Sequence, residues 1–268
     1  MENLKYYIFD WDDNLLKMNT PLYFLHYENG KWIDKTITPE EFAGIRKKYP
    51  FNYSNNEEWI SKDNCFIEFT DSGPRDARSF IEDVKKAIDG GNFGPSWEIF
   101  KDVLIKGILF AIITTRGHEP ATIRDTIEYI IENVLSEKER FQMIENIKEF
   151  NRIFRIKPKN PIKQYLNECY FIGLNSKAFL KEFGYVPQSD VLNKGKQDAI
   201  NSFVEFVRGF SNSTKLPLKV GFSDDDINFS DAAKELFMYI EKSSGIPEDF
   251  YVFDTSNPSI EGGIKIKI

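Results

Sequence analysis

The chain has 268 residues, a net charge of −7 and a pI near 5.1. That balance excludes a general binder of nucleic acid or anionic membrane, which needs a basic surface, but leaves room for a local pocket that takes one phosphate. Hydrophobic residues make up 41% and charged residues 29%, which suits a globular chain with a full core.

The opening, MENLKYYIFDW, lacks a basic stretch followed by a long apolar one, so no leader peptide is expected. The first apolar run, KYYIF (5–9), reads as a buried strand. Asp10, Asp12 and Asp13 follow it directly. Like charges this close beside an apolar strand are costly unless something neutralises them.

Residues 17 to about 100 then separate this strand from the next, far more chain than one crossover requires. The stretch holds turn-rich text (YENGKWID, FNYSNNEEW, GGNFGPSW) and one amphipathic helix carrying Phe80, Val84, Ala87 and Ile88. It reads as an inserted cap, 17–100, beside the strand ends. GILFAIITT (107–115) is the second strand and ends on Thr114 and Thr115. A helix enters at Pro120 and lines up Ile123, Ile127, Ile130, Ile131 and Val134 on one face. Residues 135–165, charged and helix-prone, read as a second, smaller insertion.

ECYFIGL (168–174) is the third strand. Lys194 and Lys196, in LNKGKQDAI, are expected just before a helix that buries Ala199, Ile200, Phe203, Val204 and Val207. LKVGF (218–222) leads into Asp224, Asp225 and Asp226. A further helix carries Ala233, Leu236, Phe237 and Ile240, and YVFDT (251–255) is the last strand expected. Cys65 and Cys169 sit in no CxxC pattern, so two free thiols are expected. No stretch approaches 18 apolar residues, so no membrane span is expected, and the cytoplasm is the expected location.

The runs show little strict alternation, as strands buried on both faces do, and helices separate most of them. The pattern is that of an α/β fold with a doubly wound parallel sheet. Ligands of such sheets bind outside the carboxyl ends of the strands. There the acids, a hydroxyl and an ammonium would meet, a set suited to a hard divalent cation and a phosphoryl group.

In order and placement, YIFDWDDN, AIITTRG, NKGKQDAI and VGFSDDD resemble the four motifs of haloacid dehalogenase (HAD) superfamily phosphatases: strand–DxDx[TV], strand–[ST], a Lys before a helix, and strand–paired acids. The resemblance covers the core, 1–16 and 101–268, and leaves the insertion unassigned. It implies a Rossmann-like core with a cap after the first strand, and an Mg²⁺-dependent hydrolase of a phosphomonoester. It implies that Asp10 is the nucleophile and a metal ligand. Asp12 would be the acid and then the base, with its backbone carbonyl on the metal. Thr114 would be the motif hydroxyl, with Thr115 as the fallback. Lys196 fits the motif lysine better than Lys194, and Asp224 and Asp225 are the distal ligands, within a run of acids one residue too long. Asn14 stands where the family has Thr or Val. A capped site favours a small phosphorylated substrate. A polynucleotide end suits the same chemistry, though the net acidity argues mildly against it.

Each motif also has a plainer reading. A DxD alone is often a surface turn, SDDD can be a helix entry favoured by the macrodipole, and a lone lysine is usually solvated. His118 is expected to cap or line its loop, Arg116 to form a structural ion pair, and Trp11 to pack beside the strand. Arg75 and Arg78 are expected in a surface loop, and GGNFGPSW is expected to be a hinge or turn rather than a phosphate cradle. The competing functions are a catalytically weak HAD-fold binding or structural protein and a phospho-acceptor receiver domain. The receiver is disfavoured because its acceptor aspartate lies on a later, central strand.

Overall fold

The structure, a computed structural model, describes residues 3–49, 52–153, 158–185, 191–243 and 248–268. Its main sheet has six strands in the order β6-β5-β1-β7-β8-β9. These are β1 (Leu4–Phe9), β5 (Phe110–Thr114), β6 (Tyr170–Gly173), β7 (Leu218–Asp224), β8 (Glu248–Asp254) and β9 (Ile264–Lys267). The first five pair in parallel, and β9 runs antiparallel at the edge beside β8. Counted along the chain, the parallel strands lie in the order 3-2-1-4-5, the doubly wound arrangement. The order reverses between β1 and β7, which is where such sheets open a crevice at their carboxyl ends.

All five expected strands are present. They form because Val, Ile, Phe and Tyr pack well on a pleated surface covered on both sides. β9, with the exposed alternation IKIK, was not anticipated: its pattern lacks the continuous apolar run that marks the others. Helix α4 (Pro120–Asn133) starts on its proline, as expected, and buries Ile123, Ile127, Ile130 and Ile131. After the short α7 (Lys177–Phe183), helices α8 (Val191–Thr214) and α9 (Ile227–Ser243) bury the faces expected of them through Phe203, Val204, Val207, Ala233 and Phe237. Between α4 and β6 lie α5 (Glu137–Ile153) and α6 (Pro161–Glu168), whose Met143, Ile147, Tyr165 and Leu166 join the main core; residues 154–157 of that stretch lie outside the described residues.

The chain between β1 and β5 divides in two. Its first part holds a three-stranded antiparallel sheet, β3-β2-β4, from β2 (Leu22–Glu28), β3 (Lys31–Ile37) and β4 (Trp59–Ser61). Asn29 and Gly30 turn the β2–β3 hairpin with φ of 51° and 79°, the left-handed backbone that a tight two-residue loop requires. Helix α1 (Pro39–Lys48) begins with a reciprocal capping box between Thr38 and Glu41. Leu22, Phe24, Ile37, Ile45 and Cys65 form a small core of their own. The second part, α2 (Arg78–Asp89) and α3 (Trp97–Ile105), belongs elsewhere: Phe80, Val84, Ala87, Trp97 and Phe100 are buried in the main core. Separate packing in the inserted region thus ends before α2 rather than near residue 100, because the apolar face of α2 lies against α4. Cys65 and Cys169 are free and buried. Among the described residues no helix is long and apolar enough to cross a membrane.

Candidate functional site

Strand register brings the acids together. Phe9 pairs with Ser223, so one step further Asp10 lies beside Asp224, at the reversal of strand order. The Asp10 N–H donates to Ser223 O at 3.0 Å, which locks that alignment past the end of the ladder. On the other side Phe9 pairs with Ile112, so Thr114, fully buried, ends β5 at the same edge. Thr114 Oγ1 accepts from the Arg116 N–H at 3.3 Å, and Thr115, half-buried, follows it.

Lys196 lies inside α8, not before it, because the helix begins at Val191. The 3.6-residue period puts Lys196 on the buried face with Ile200, Phe203 and Val207. Lys194, two residues earlier, is exposed. The Lys196 ammonium stands 2.7 Å from Asp10 Oδ1 and 2.5 Å from Asp224 Oδ2, over the Phe229 ring at 4.1 Å. Single oxygens of Asp10, Asp224 and Asp225 lie within 4.8 Å of one another. Asp226 does something else. Its Oδ1 accepts from the Asn228 N–H at 2.9 Å, which caps the start of α9.

Asp10, Asp224 and Lys196 are buried and Asp225 is half-buried, and their electrostatics follow from that. Burial pushes Asp10 up to about 8 despite the ammonium beside it, and burial with the Asp10 charge takes Asp225 to about 9. Asp224 is also raised by burial, against the pull of Lys196. Burial alone would lower Lys196, but the charges of Asp10 and Asp224 outweigh it and hold the group above the ordinary lysine value. Were all three carboxylates ionised, they and the one ammonium would leave an excess of two negative charges, which one divalent cation balances. The donors are all carboxylate oxygens, the set a hard cation prefers. Opposite ligands of an octahedral Mg²⁺ are about 4.2 Å apart, twice the usual bond length, so a 4.8 Å spread closes on such an ion with small side-chain shifts.

Asp12 stands outside that cluster. Its carboxylate takes a side-on pair of hydrogen bonds from Arg116: Nε to Oδ2 at 2.8 Å and Nη2 to Oδ1 at 2.6 Å. Its backbone carbonyl accepts the Asn14 N–H at 2.6 Å and keeps one lone pair for another partner. The expected ion pair of Arg116 is therefore present, and its acid is Asp12.

Asn14 ties the loop to the sheet. Its amide nitrogen donates to Asp10 O at 3.1 Å, Ser223 O at 3.2 Å and Ser223 Oγ at 2.8 Å, and its oxygen accepts from Thr255 Oγ1 at 2.9 Å. A Thr or Val here could not supply this reach across three strand ends. Gly94, in GGNFGPSW, lies so close that a Cβ would meet Asn14 O at 2.3 Å. That glycine serves close packing against the loop.

Of the remaining expectations, those for Trp11 and His118 are met by packing. Trp11 is fully buried against Phe80, with ring centroids 5.0 Å apart. His118 Nδ1 lies 2.8 Å from Asp71, whose other oxygen accepts from the Glu119 N–H and the Thr122 hydroxyl at the start of α4. Burial lowers the His118 pKa, with Asp71 opposing. Arg75 and Arg78 depart from the surface loop expected of them: Arg75 is half-buried and forks onto buried Asp83, and Arg78 opens α2 and pairs with Asp76 at the surface. α1 reaches the strand-end edge through Arg46, 3.9 Å from Asp226. Two groups went unnoticed in the sequence, Thr20 and Asp83. Thr20 Oγ1 accepts from Arg116 Nη2 at 3.0 Å and donates to Asp83 at 3.0 Å. The separations of 96 and 63 positions leave no local signal for either contact.

Fold and site together define a doubly wound α/β protein with a carboxylate–lysine cluster at the switch point of its sheet. No protein-family profile, no curated protein and no solved structure matches this chain.

Proposed function

We propose that the chain is an Mg²⁺-dependent phosphohydrolase that cleaves a phosphomonoester through an aspartyl-phosphate on Asp10. The observation that supports this most is the meeting of three carboxylates within 4.8 Å with one ammonium 2.7 and 2.5 Å from two of them. Asp10, Asp224 and Asp225 would hold the cation. When bound, the cation neutralises the crowded acids and polarises the phosphoryl oxygens. A carboxylate oxygen of Asp10 attacks phosphorus while the bond to the leaving oxygen breaks. Asp12 gives that oxygen a proton. It then takes one from the water that attacks the phosphorus of the acyl phosphate, and inorganic phosphate leaves with Asp10 restored. Lys196 and the Thr114 hydroxyl hold the equatorial oxygens as charge moves.

With Arg46 of α1 3.9 Å from Asp226 and a net charge of −7, the chain suits a small phosphorylated metabolite better than a polynucleotide end. A second reading, a catalytically weak HAD-fold binding protein, is favoured by one observation: both oxygens of Asp12 are already engaged by Arg116. Hydrolysis of an aryl phosphate in Mg²⁺ by wild type and by Asp10→Asn decides between them. The phosphohydrolase loses essentially all turnover in the variant while its circular dichroism is unchanged. Equal turnover by the two purified proteins rules the enzyme out.

A further inference from the structure

Arg116 is a fully buried cation with partners from both parts of the molecule. Toward the site it holds Asp12 by the side-on pair of bonds. Toward the inserted region its guanidinium lies over the Phe69 ring at 4.3 Å, and on the core side it lies 5.3 Å from the Phe80 ring of α2. The backbone repeats the connection, since the Gly117 N–H donates to Phe69 O at 2.8 Å and Thr70 forms a bridge with Gly117. A third line of contacts runs from Arg116 through Thr20 to Asp83, which Arg75 grips with Nη1 and Nη2. A planar fork fixes the plane of a carboxylate as well as its distance, which a lysine ammonium would not do. Asp12 Oδ1 accepts from both Nε and Nη2, while Oδ2 accepts from Nε alone and keeps a second lone pair, so the carboxyl remains able to exchange a proton there.

We propose that Arg116 is a positioning residue: it aims the Asp12 carboxylate for proton transfer and, through Phe69, makes that aim depend on docking of the inserted region. This rests on the phosphohydrolase reading. The ring and the backbone contacts that hold the guanidinium come from the inserted region, so the setting of the acid depends on how that region packs against the sheet edge.

The test uses leaving groups. Expulsion of a good leaving group, such as an aryl oxide, needs little help from an acid, whereas an alkoxide needs a proton in the transition state. The parameter is kcat/KM, which reports only the steps up to departure of the first product. In Arg116→Lys, kcat/KM for an alkyl phosphate is expected to fall by about 10²-fold or more, while that for an aryl phosphate falls less than about tenfold. Phe69→Leu, which keeps an apolar side chain at the junction, shows the same selective loss in smaller degree, and decides the matter if Arg116→Lys does not fold. Asp12→Asn combined with Arg116→Lys costs little more than Asp12→Asn alone, because the two act as one unit. Mg²⁺ binding by calorimetry is unchanged in Phe69→Leu, since the ligands lie outside the pair. Equal losses on both esters, or additive losses in the double variant, overturn the positioning role and leave the phosphohydrolase standing. A wild type that hydrolyses neither ester overturns the functional reading, and the positioning role with it.

Discussion

Replacing Lys196 by Met tests the charge arithmetic of the site most directly. Met fills much the same volume, so the loss is chiefly electrostatic. The ammonium pairs with Asp10 and Asp224, both out of water, and burial has already brought Asp10 to about 8. Below that pH Asp10 carries a proton in the metal-free fold, so the charged pair to be broken is Lys196 with Asp224. Without the ammonium, the Asp224 carboxyl must be kept neutral. Against an unfolded value near 3.9, that costs about 1.4 kcal/mol per pH unit. The cost is at most about 4 kcal/mol at pH 7 and about 1.5 kcal/mol at pH 5, because burial already raises Asp224 in the wild type, and the first figure falls within the usual roughly 3–5 kcal/mol for breaking a buried pair from one side. For a chain of this length a kcal/mol moves Tm by about 2 °C, so Lys196→Met should melt up to roughly 8 °C below wild type at pH 7 and up to about 3 °C below at pH 5. Scanning calorimetry in EDTA at the two pH values measures both. Saturating Mg²⁺ should narrow the pH 7 difference. A loss under about 1 kcal/mol at pH 7, or one independent of pH, would refute the reasoning.

Two other expectations follow from the same geometry. Asp10 and Asp225 are raised to about 8 and about 9, so the native state binds protons at neutral pH that the unfolded chain does not. Metal-free stability therefore falls as pH rises from about 4 toward 9, the opposite of the usual salt-bridged carboxylate. A divalent cation must displace those protons, so its affinity rises with pH across this range and levels off near its upper end. Calorimetry in buffers of different ionisation enthalpy at pH 7 should record up to about two protons released per ion, and zero release would contradict the assignment. Asn14→Ala strands buried partners on Asp10, Ser223 and Thr255, and should cost about 2–4 kcal/mol by denaturant unfolding. A variant within about 0.5 kcal/mol of wild type would show that Asn14 does not hold the strand ends together.

The parallel core was legible because burial on both faces leaves a strong mark: a short continuous run of β-branched and aromatic residues, such as FAIIT, resembles no loop. The insertion had signals too. Asn29–Gly30 is a hairpin turn and Thr38-x-x-Glu41 a capping box, but short half-exposed strands around them carry little periodicity, so the turn text did not resolve into a sheet. The limit between α2 and the insertion was illegible for a different reason. Phe80, Val84 and Ala87 mark an apolar face, and a face alone does not say which of two cores covers it.

The site divides along similar lines. Residues that touch the cluster through strand ends were readable, because register and alternation place a strand-end side chain without knowledge of any distant contact. Asp10 beside Asp224 follows from the pairing of Phe9 with Ser223. Even the ambiguities close on local rules: Lys196 shares its helix face with Ile200 and Phe203 while Lys194 does not, and Asp226 is spent on the start of α9. What register cannot supply is the partner of Asp12. Arg116 lies 104 positions away and could have turned to any of several acids or to substrate phosphate. Its choice depends on Phe69 and Thr20, which reach it only once the insertion has folded back on the sheet edge. Asp10 is thus placed by the core alone, and Asp12 by the core and insertion together. The two aspartates, although two positions apart in DWD, should therefore respond differently to damage in the insertion. Changes at Phe69 should leave metal binding by Asp10 intact and fall on the proton transfers of Asp12.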